Sequence, residues 1–179
     1  MKKFAEQNLD QALDLLNERL VFERSGVAFY DKIVEVMTAS KDAGIQQMLP
    51  QMKEHRDQEK EHEEWLESQI RSLGGDAHAE TDHSKLVAIE SEGIKEVIDG
   101  DFALPHLFHA LLQAELSDNA GWQLLLELAD EAGDDEAREA FRTRLHHEDE
   151  HLRMMREAVS TFARREVLGE QAVQMPTGP

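Results

Sequence analysis

Residues 48–73 read MLPQMKEHRDQEKEHEEWLESQIRSL, and residues 141–162 read FRTRLHHEDEHLRMMREAVSTF. In both stretches apolar side chains recur at the spacing of one helix face. The first stripe is Met48, Met52, Leu66, Ile70 and Leu73, with Glu59 and His62 in its middle. The second is Phe141, Leu145, Leu152, Met155, Val159 and Phe162, with Glu148 and His151 at its centre. Residues three apart share a helix face, so each stretch turns a carboxylate and an imidazole toward a surface built for packing.

Working outward, two further stretches repeat the anomaly with a carboxylate alone. Glu23 is aligned with Leu16, Leu20, Val27, Tyr30 and Val34, and Glu115 is flanked by Leu104, Phe108, Leu111, Leu112, Trp122 and Leu126. The chain therefore reads as four long helices. They are placed from about Asn8 to Thr38, Asp42 to Leu73, Leu104 to Ala132, and Asp134 or Asp135 to Leu168. Gly74-Gly75 and Gly133 supply stops, Pro105 suits a first turn, and an aspartate opens the fourth helix as its N-cap. Pro50 predicts a kink or a break inside the second helix. The 76–100 segment is long enough to cross from one end of a bundle to the other, and SKLVAIESEGIKEVI within it has the pattern of a short helix. The expected fold is all-α: a four-helix bundle over 1–168, made of two antiparallel hairpins joined by a long crossover, with a flexible tail over 169–179.

The two halves resemble each other. Glu23 aligned on Glu115 sets FERSGVAFY (22–30) against AELSDNAGW (114–122), each with an aromatic seven residues after the carboxylate. Glu59 aligned on Glu148 superposes His62 on His151. A pseudo-two-fold relation between hairpins follows.

Composition narrows the chemistry. The 179 residues are 40% hydrophobic and 32% charged, with a formal net charge of -19. That sign argues against nucleic acid or an anionic membrane as partner and favours cations. With no cysteine there is no disulfide framework, thiolate nucleophile, Cys-ligated zinc or iron–sulfur cluster. The start, MKKFAEQNLDQ, lacks the apolar run of a signal peptide, and no window is apolar enough to span a bilayer, so a cytoplasmic location is expected.

Four ionised carboxylates in a bundle core would cost many kcal/mol unless neutralised. Some are protonated, or basic side chains pair with them, or cations sit among them. Two divalent ions would balance four glutamates, and oxygen with imidazole donors suits iron or manganese. One Glu-x-x-His is weak support, since this composition gives about one chance match. Glu80 and His83 form such a copy in the polar crossover and read as accidental. Two copies on core faces, with lone core glutamates on the other two helices, carry the argument.

These residues resemble the ferritin-like di-iron superfamily, particularly bacterioferritins and the bundle domain of rubrerythrins, over roughly Leu9 to Phe162. The resemblance implies Glu23 and Glu115 as terminal metal ligands, Glu59 and Glu148 as bridges, and His62 and His151 completing two iron sites. It also implies a role for Tyr30, as hydrogen-bond partner of a ligand or as electron donor. The chain departs from rubrerythrins in having no Cys-rich rubredoxin domain, and from compact ferritins in its longer crossover. Rubrerythrins carry an additional acidic ligand on the third helix; Asp118 lies near that place but reads as a helix-surface residue. His55 reads as a support for a carboxylate, an extra ligand or a partly buried histidine. Arg19 and Arg144 read as boundary salt bridges, and His106, His109, His146 and His147 as surface.

The expected activity is oxidation of Fe(II) by O2 or H2O2 at a two-iron centre, as a ferroxidase or peroxide reductase in iron handling or oxidative-stress defence, with an external electron donor and a homodimeric state. A manganese pair performing catalase-like dismutation, or a metal-stabilised interaction bundle without turnover, are the other readings.

Overall fold

The computed structural model describes residues 1–169. Seven helices follow in order: α1 (Lys2–Glu6), α2 (Leu9–Ala39), α3 (Ala43–Ser72), α4 (Asp82–Glu90), α5 (Glu92–Asp99), α6 (Leu104–Glu131) and α7 (Asp135–Leu168). The starts are set by side-chain caps. Asn8 accepts from Gln11 N at the head of α2, Asp42 from Gly44 N and Ile45 N at α3, and Asp134 from Ala137 N at α7. Thr81 and Ser84 form a capping box on α4. The α6 helix has no side-chain cap and begins with Pro105 in its first turn. Turns after α3 and α6 use Gly74 (φ 85) and Gly133 (φ 64), where a side chain would be strained.

Of the two outcomes expected at Pro50, the break does not occur: α3 continues through it. Pro50 is exposed, so the Gln46 carbonyl that loses its donor lies on the side of the helix that water can reach. The crossover holds two short helices rather than one, and α1 adds a helical turn that the sequence pattern did not call for. Of the tail expected over 169–179, all but Gly169 lies outside the described residues.

Helix α2 packs on α3 and α6 on α7, forming the two hairpins; α2 meets α6 and α3 meets α7 across the bundle. The crossover helix α4 lies along α2, and α5 along α6 and α2. This extra cover explains why α2 buries Phe22, Phe29 and Ile33 in addition to Leu16, Leu20 and Met37. No described helix is long and apolar enough to cross a membrane.

The apolar core is two clusters. One contains Leu16, Leu20, Leu66, Ile70, Trp122, Leu125 and Phe141. The other contains Tyr30, Ile33, Met37, Met48, Met52, Phe108, Leu111 and Met155. Along every long helix the glutamate singled out above falls between the residues of one cluster and those of the other. The acids thus form a polar layer with an apolar mass on either side.

Candidate metal centre

The six expected side chains meet in this layer. Glu23, Glu59, His62, Glu115, Glu148 and His151 are each 0 to 2% exposed. His62 Nδ1 lies 3.0 Å from Glu148 Oε1 and 3.4 Å from Glu23 Oε2. His151 Nδ1 lies 3.1 Å from Glu59 Oε1, 3.3 Å from Glu148 Oε2 and 3.6 Å from Glu115 Oε2. The donor atoms of Glu23, His62 and Glu148 fall within 4.8 Å of one another, as do those of Glu59, Glu115, Glu148 and His151. Glu148 belongs to both groups and gives one oxygen to each histidine, the disposition a bridging carboxylate requires. Glu59 joins the second group and also sits with Glu23, Asp118 and Glu148 in a third.

Outer contacts fix how these groups point. Trp122 Nε1 donates to Glu23 Oε1 at 2.9 Å, and the Tyr30 hydroxyl donates to Glu115 Oε1 at 2.5 Å. Each half's aromatic therefore holds the other half's lone glutamate. The histidines follow the same exchange. His151 Nε2 meets Gln58 Oε1 at 2.7 Å, and His62 Nε2 meets His147 Nδ1 at 3.0 Å. With Nε2 engaged outward, Nδ1 of each ring faces the cluster, which is how a second partner orients a metal-binding imidazole. On α2, Gly26 is needed for space: a Cβ there would stand 2.6 Å from Glu59 Oε2.

What remains is a set of buried atoms without hydrogen-bond partners. Glu23 Oε2, both oxygens of Glu59, Glu115 Oε2, both oxygens of Glu148 and the two histidine Nδ1 atoms are all in this condition. Buried polar groups are ordinarily satisfied. Their inward convergence, and a donor set of carboxylate oxygen and imidazole nitrogen without sulfur, fit a pair of hard or borderline cations.

Electrostatics without cations shows the same tension. Burial, then the charges of Glu148 and Glu23, push the Glu59 carboxyl well above its usual range, and burial raises Glu115. Burial alone would lower His62, but Glu148 and Glu23 outweigh it and raise the imidazole to about 10. His151 is likewise raised well above its ordinary value, because Glu148, Glu115 and Glu59 override its burial. Glu148 is held down despite burial by the two imidazoles. Tyr30, buried and facing Glu115, is raised well above 10.0 and stays a phenol.

Residues 13–165 match the ferritin-like domain of the ferritin family. The chain belongs to the ferritin-like family. A solved structure of a ferritin-like diiron-carboxylate protein from Bacillus anthracis strain Ames superposes on it with a TM-score of 0.64. The two share 16% identity, over 84% of this chain and 96% of that one, a likeness of fold. No curated protein matches the sequence significantly.

Within this ferritin-like bundle several side chains stand elsewhere than expected. Asp118 is not a surface residue: it is 2% exposed, and burial with the charges of Glu148 and Glu23 raises its carboxyl well above the ordinary value. Arg19 is no boundary residue either, being 3% exposed, with Nη1 3.3 Å from Asp118 Oδ1 and Nε 3.7 Å from Glu23 Oε1. Arg144 does reach an exposed partner, Glu61, at 3.5 Å, while its guanidinium covers the Trp65 ring. His147 is half-buried, stacked on His62 with ring centroids 5.3 Å apart. His55 is buried against the His151 ring at 4.2 Å and lies outside every candidate ligand group; burial and the charge on His151 lower it to about 2, so it is neutral. His83 bonds Asp14 at 2.6 Å, and Glu80 is exposed, so that third Glu-x-x-His copy serves the crossover. The alignment superposing Glu59 on Glu148 also superposes Gln58 on His147, a signal for these two supports that was present in the sequence.

Proposed function

We propose that the buried layer is a di-metal centre, filled by two iron ions, that oxidises Fe(II) with O2 or H2O2. The observation that carries this reading is the convergence of six buried side chains whose eight inward oxygen and nitrogen atoms contact one another but make no hydrogen bonds. In this reading Glu23 and His62 serve one ion, Glu115 and His151 the other, and Glu59 and Glu148 both.

Bound iron would supply the electrons and the Lewis acidity that reduction of dioxygen or peroxide needs. The protein's own contribution is derived from its side chains. Six donors converge on the layer, and the flanking apolar clusters keep bulk solvent out. Trp122 and Tyr30 hold one oxygen each of Glu23 and Glu115, leaving Glu23 Oε2 and Glu115 Oε2 free to bind. The Tyr30 phenol keeps its proton and acts through Glu115. In overall balance two Fe(II) give two electrons; peroxide takes these with two protons and becomes two waters. The acidic surface favours arrival of Fe(II) as substrate. A cytoplasmic role in iron handling or oxidative-stress defence, fed by an external electron donor, goes with this chemistry.

The test is direct. Reconstituted protein is expected to take up two irons per chain and to accelerate Fe(II) oxidation or peroxide consumption, and Glu59→Ala and His62→Ala are each expected to lower metal occupancy. Unchanged occupancy in both variants would mean the ligands lie elsewhere; full occupancy without any oxidation would leave a metal-stabilised bundle without turnover. A preference for manganese, with oxygen evolved from peroxide, would replace the iron reading.

A further inference from the structure

The four glutamates are not the only acids in the layer. Asp118, one turn after Glu115 on α6, brings a carboxylate oxygen within 4.8 Å of those of Glu23, Glu59 and Glu148. By position it would compete for a cation, and five acids would face two ions. A buried guanidinium lies against it, in ion-pair contact with Asp118 Oδ1. Arg19 on α2 sets Nη1 3.3 Å from Asp118 Oδ1 and donates from the same nitrogen to the Asp118 carbonyl at 3.2 Å. Its Nε lies 3.7 Å from Glu23 Oε1, and its guanidinium rides over the Phe22 ring, 4.4 Å from the centroid.

The slot is built for it. A Cβ on Gly121 would overlap the Arg19 guanidinium, so this helix carries glycine where the side chain passes. The arrangement exists on one side only. In the alignment of the halves, Asp118 stands opposite Gly26, which has no acid to neutralise.

We propose that Arg19 and Asp118 form a neutral latch that keeps Asp118 out of the ligand set and leaves the centre with the four negative charges two divalent ions balance. This rests on the di-metal reading above. With the charges of Glu23 and Glu148 offset by bound cations, Asp118 ionises beside Arg19 and the pair cancels internally; it also ties α2 to α6 beside the Glu23–His62 side. Glu23 does not depend on the latch for its orientation, because Trp122 already holds the same oxygen at 2.9 Å. Arg19 is therefore a positioning residue for the charge of the site and not a ligand.

A double-mutant cycle on the full chain tests it, with anaerobic Fe(II) and Mn(II) titrations read by calorimetry for stoichiometry and affinity. The wild-type chain is expected to bind two ions. Asp118→Asn strands a buried cation beside the centre; it should still bind two ions, but about 10- to 100-fold more weakly. Arg19→Gln removes a positive charge beside the site and leaves a fifth acid uncancelled, and by Coulomb attraction should tighten cation binding about tenfold. The double variant should return to within about threefold of wild type, since removing one positive and one negative charge beside the site leaves its net charge unchanged. Gly121→Ala provides a second route, because it crowds the guanidinium out while favouring the helix, and it should behave like Arg19→Gln. If Asp118→Asn binds a single ion, Asp118 is itself a ligand and the latch is overturned. Weaker binding in Arg19→Gln, or a double variant that stays about tenfold or more from wild type, overturns it as well. A wild-type chain that binds fewer than two ions overturns the di-metal reading, and the latch with it.

Discussion

Tyr30 and Trp122 carry the pseudo-two-fold relation to the level of single atoms, since each donates one hydrogen bond to the lone glutamate of the other hairpin. A bond to an ionised acceptor contributes about 1.5–3 kcal/mol. The two substitutions should therefore act on different ions. Tyr30→Phe is expected to weaken the binding step that involves Glu115 and His151, and Trp122→Phe the step that involves Glu23 and His62. Stepwise metal titration checks this; both variants altering the same step would contradict the crossed arrangement. At this scale the sequence disclosed the six central residues, because a carboxylate inside an apolar stripe stands out whatever surrounds it. It did not disclose Asp118 or Arg19. Asp118 sits in SDNAG (117–121), whose polar residues hide a buried one, and the space Arg19 fills is created by a glycine on another helix. Complementarity of that kind is a property of the packed pair of helices, and periodicity along one of them cannot carry it.

Among the elements, the long helices were legible almost to their ends. Period and caps are local, and Asn8, Asp42 and Asp134 are each in the sequence at the position where they work. The continuity of α3 through Pro50 was not, because it depends on which side of the helix the proline faces once packed. Two substitutions separate stability from binding at this level. Gly26→Ala should favour α2 by up to about 1 kcal/mol of helix propensity. Yet its methyl would press on Glu59 Oε2, so the metal-free variant is expected to stay folded while metal affinity falls. Thermal melts with and without metal would show this; equal affinity in the variant would mean Glu59 has room to move. Asp134→Ala removes the cap of α7 and the acceptor of the Phe4 backbone N–H, a loss of about 1–2 kcal/mol. Despite some burial, the Asp134 carboxyl is lowered to about 2, held by the Ala137 and Phe4 amides. Its folded value is below the unfolded 3.8, so this contribution is complete above 3.8 and is lost as pH falls through about 2. The melting curves of the wild type and of Asp134→Ala should accordingly converge in strong acid.

For the whole molecule the polar layer divides one core into two, and the bundle's stability depends on what fills that layer. Without metal the filling is protons. His62 is raised from 6.5 to about 10 by Glu148 and Glu23, so its protonated form stabilises the fold fully below 6.5 and that contribution is lost as pH rises toward 10. Cations that bind through Nδ1 must displace this proton and those that burial keeps on Glu59 and Glu115, so metal affinity should rise with pH over the same window. The two slopes have opposite signs: the metal-free protein weakens as the metal-bound one gains. Each ion present at 100 times its dissociation constant adds about 2.7 kcal/mol. For a chain of this length each kcal/mol is worth roughly 2–4 °C in the midpoint of unfolding. The expected result is a metal-dependent rise of about 5–11 °C per ion near neutrality, larger at pH 8 than at pH 6 and abolished by a chelator. Differential scanning calorimetry across that range decides it. A shift that is constant with pH would mean that the ions bind without displacing protons from these side chains, and therefore at some other place on the acidic surface.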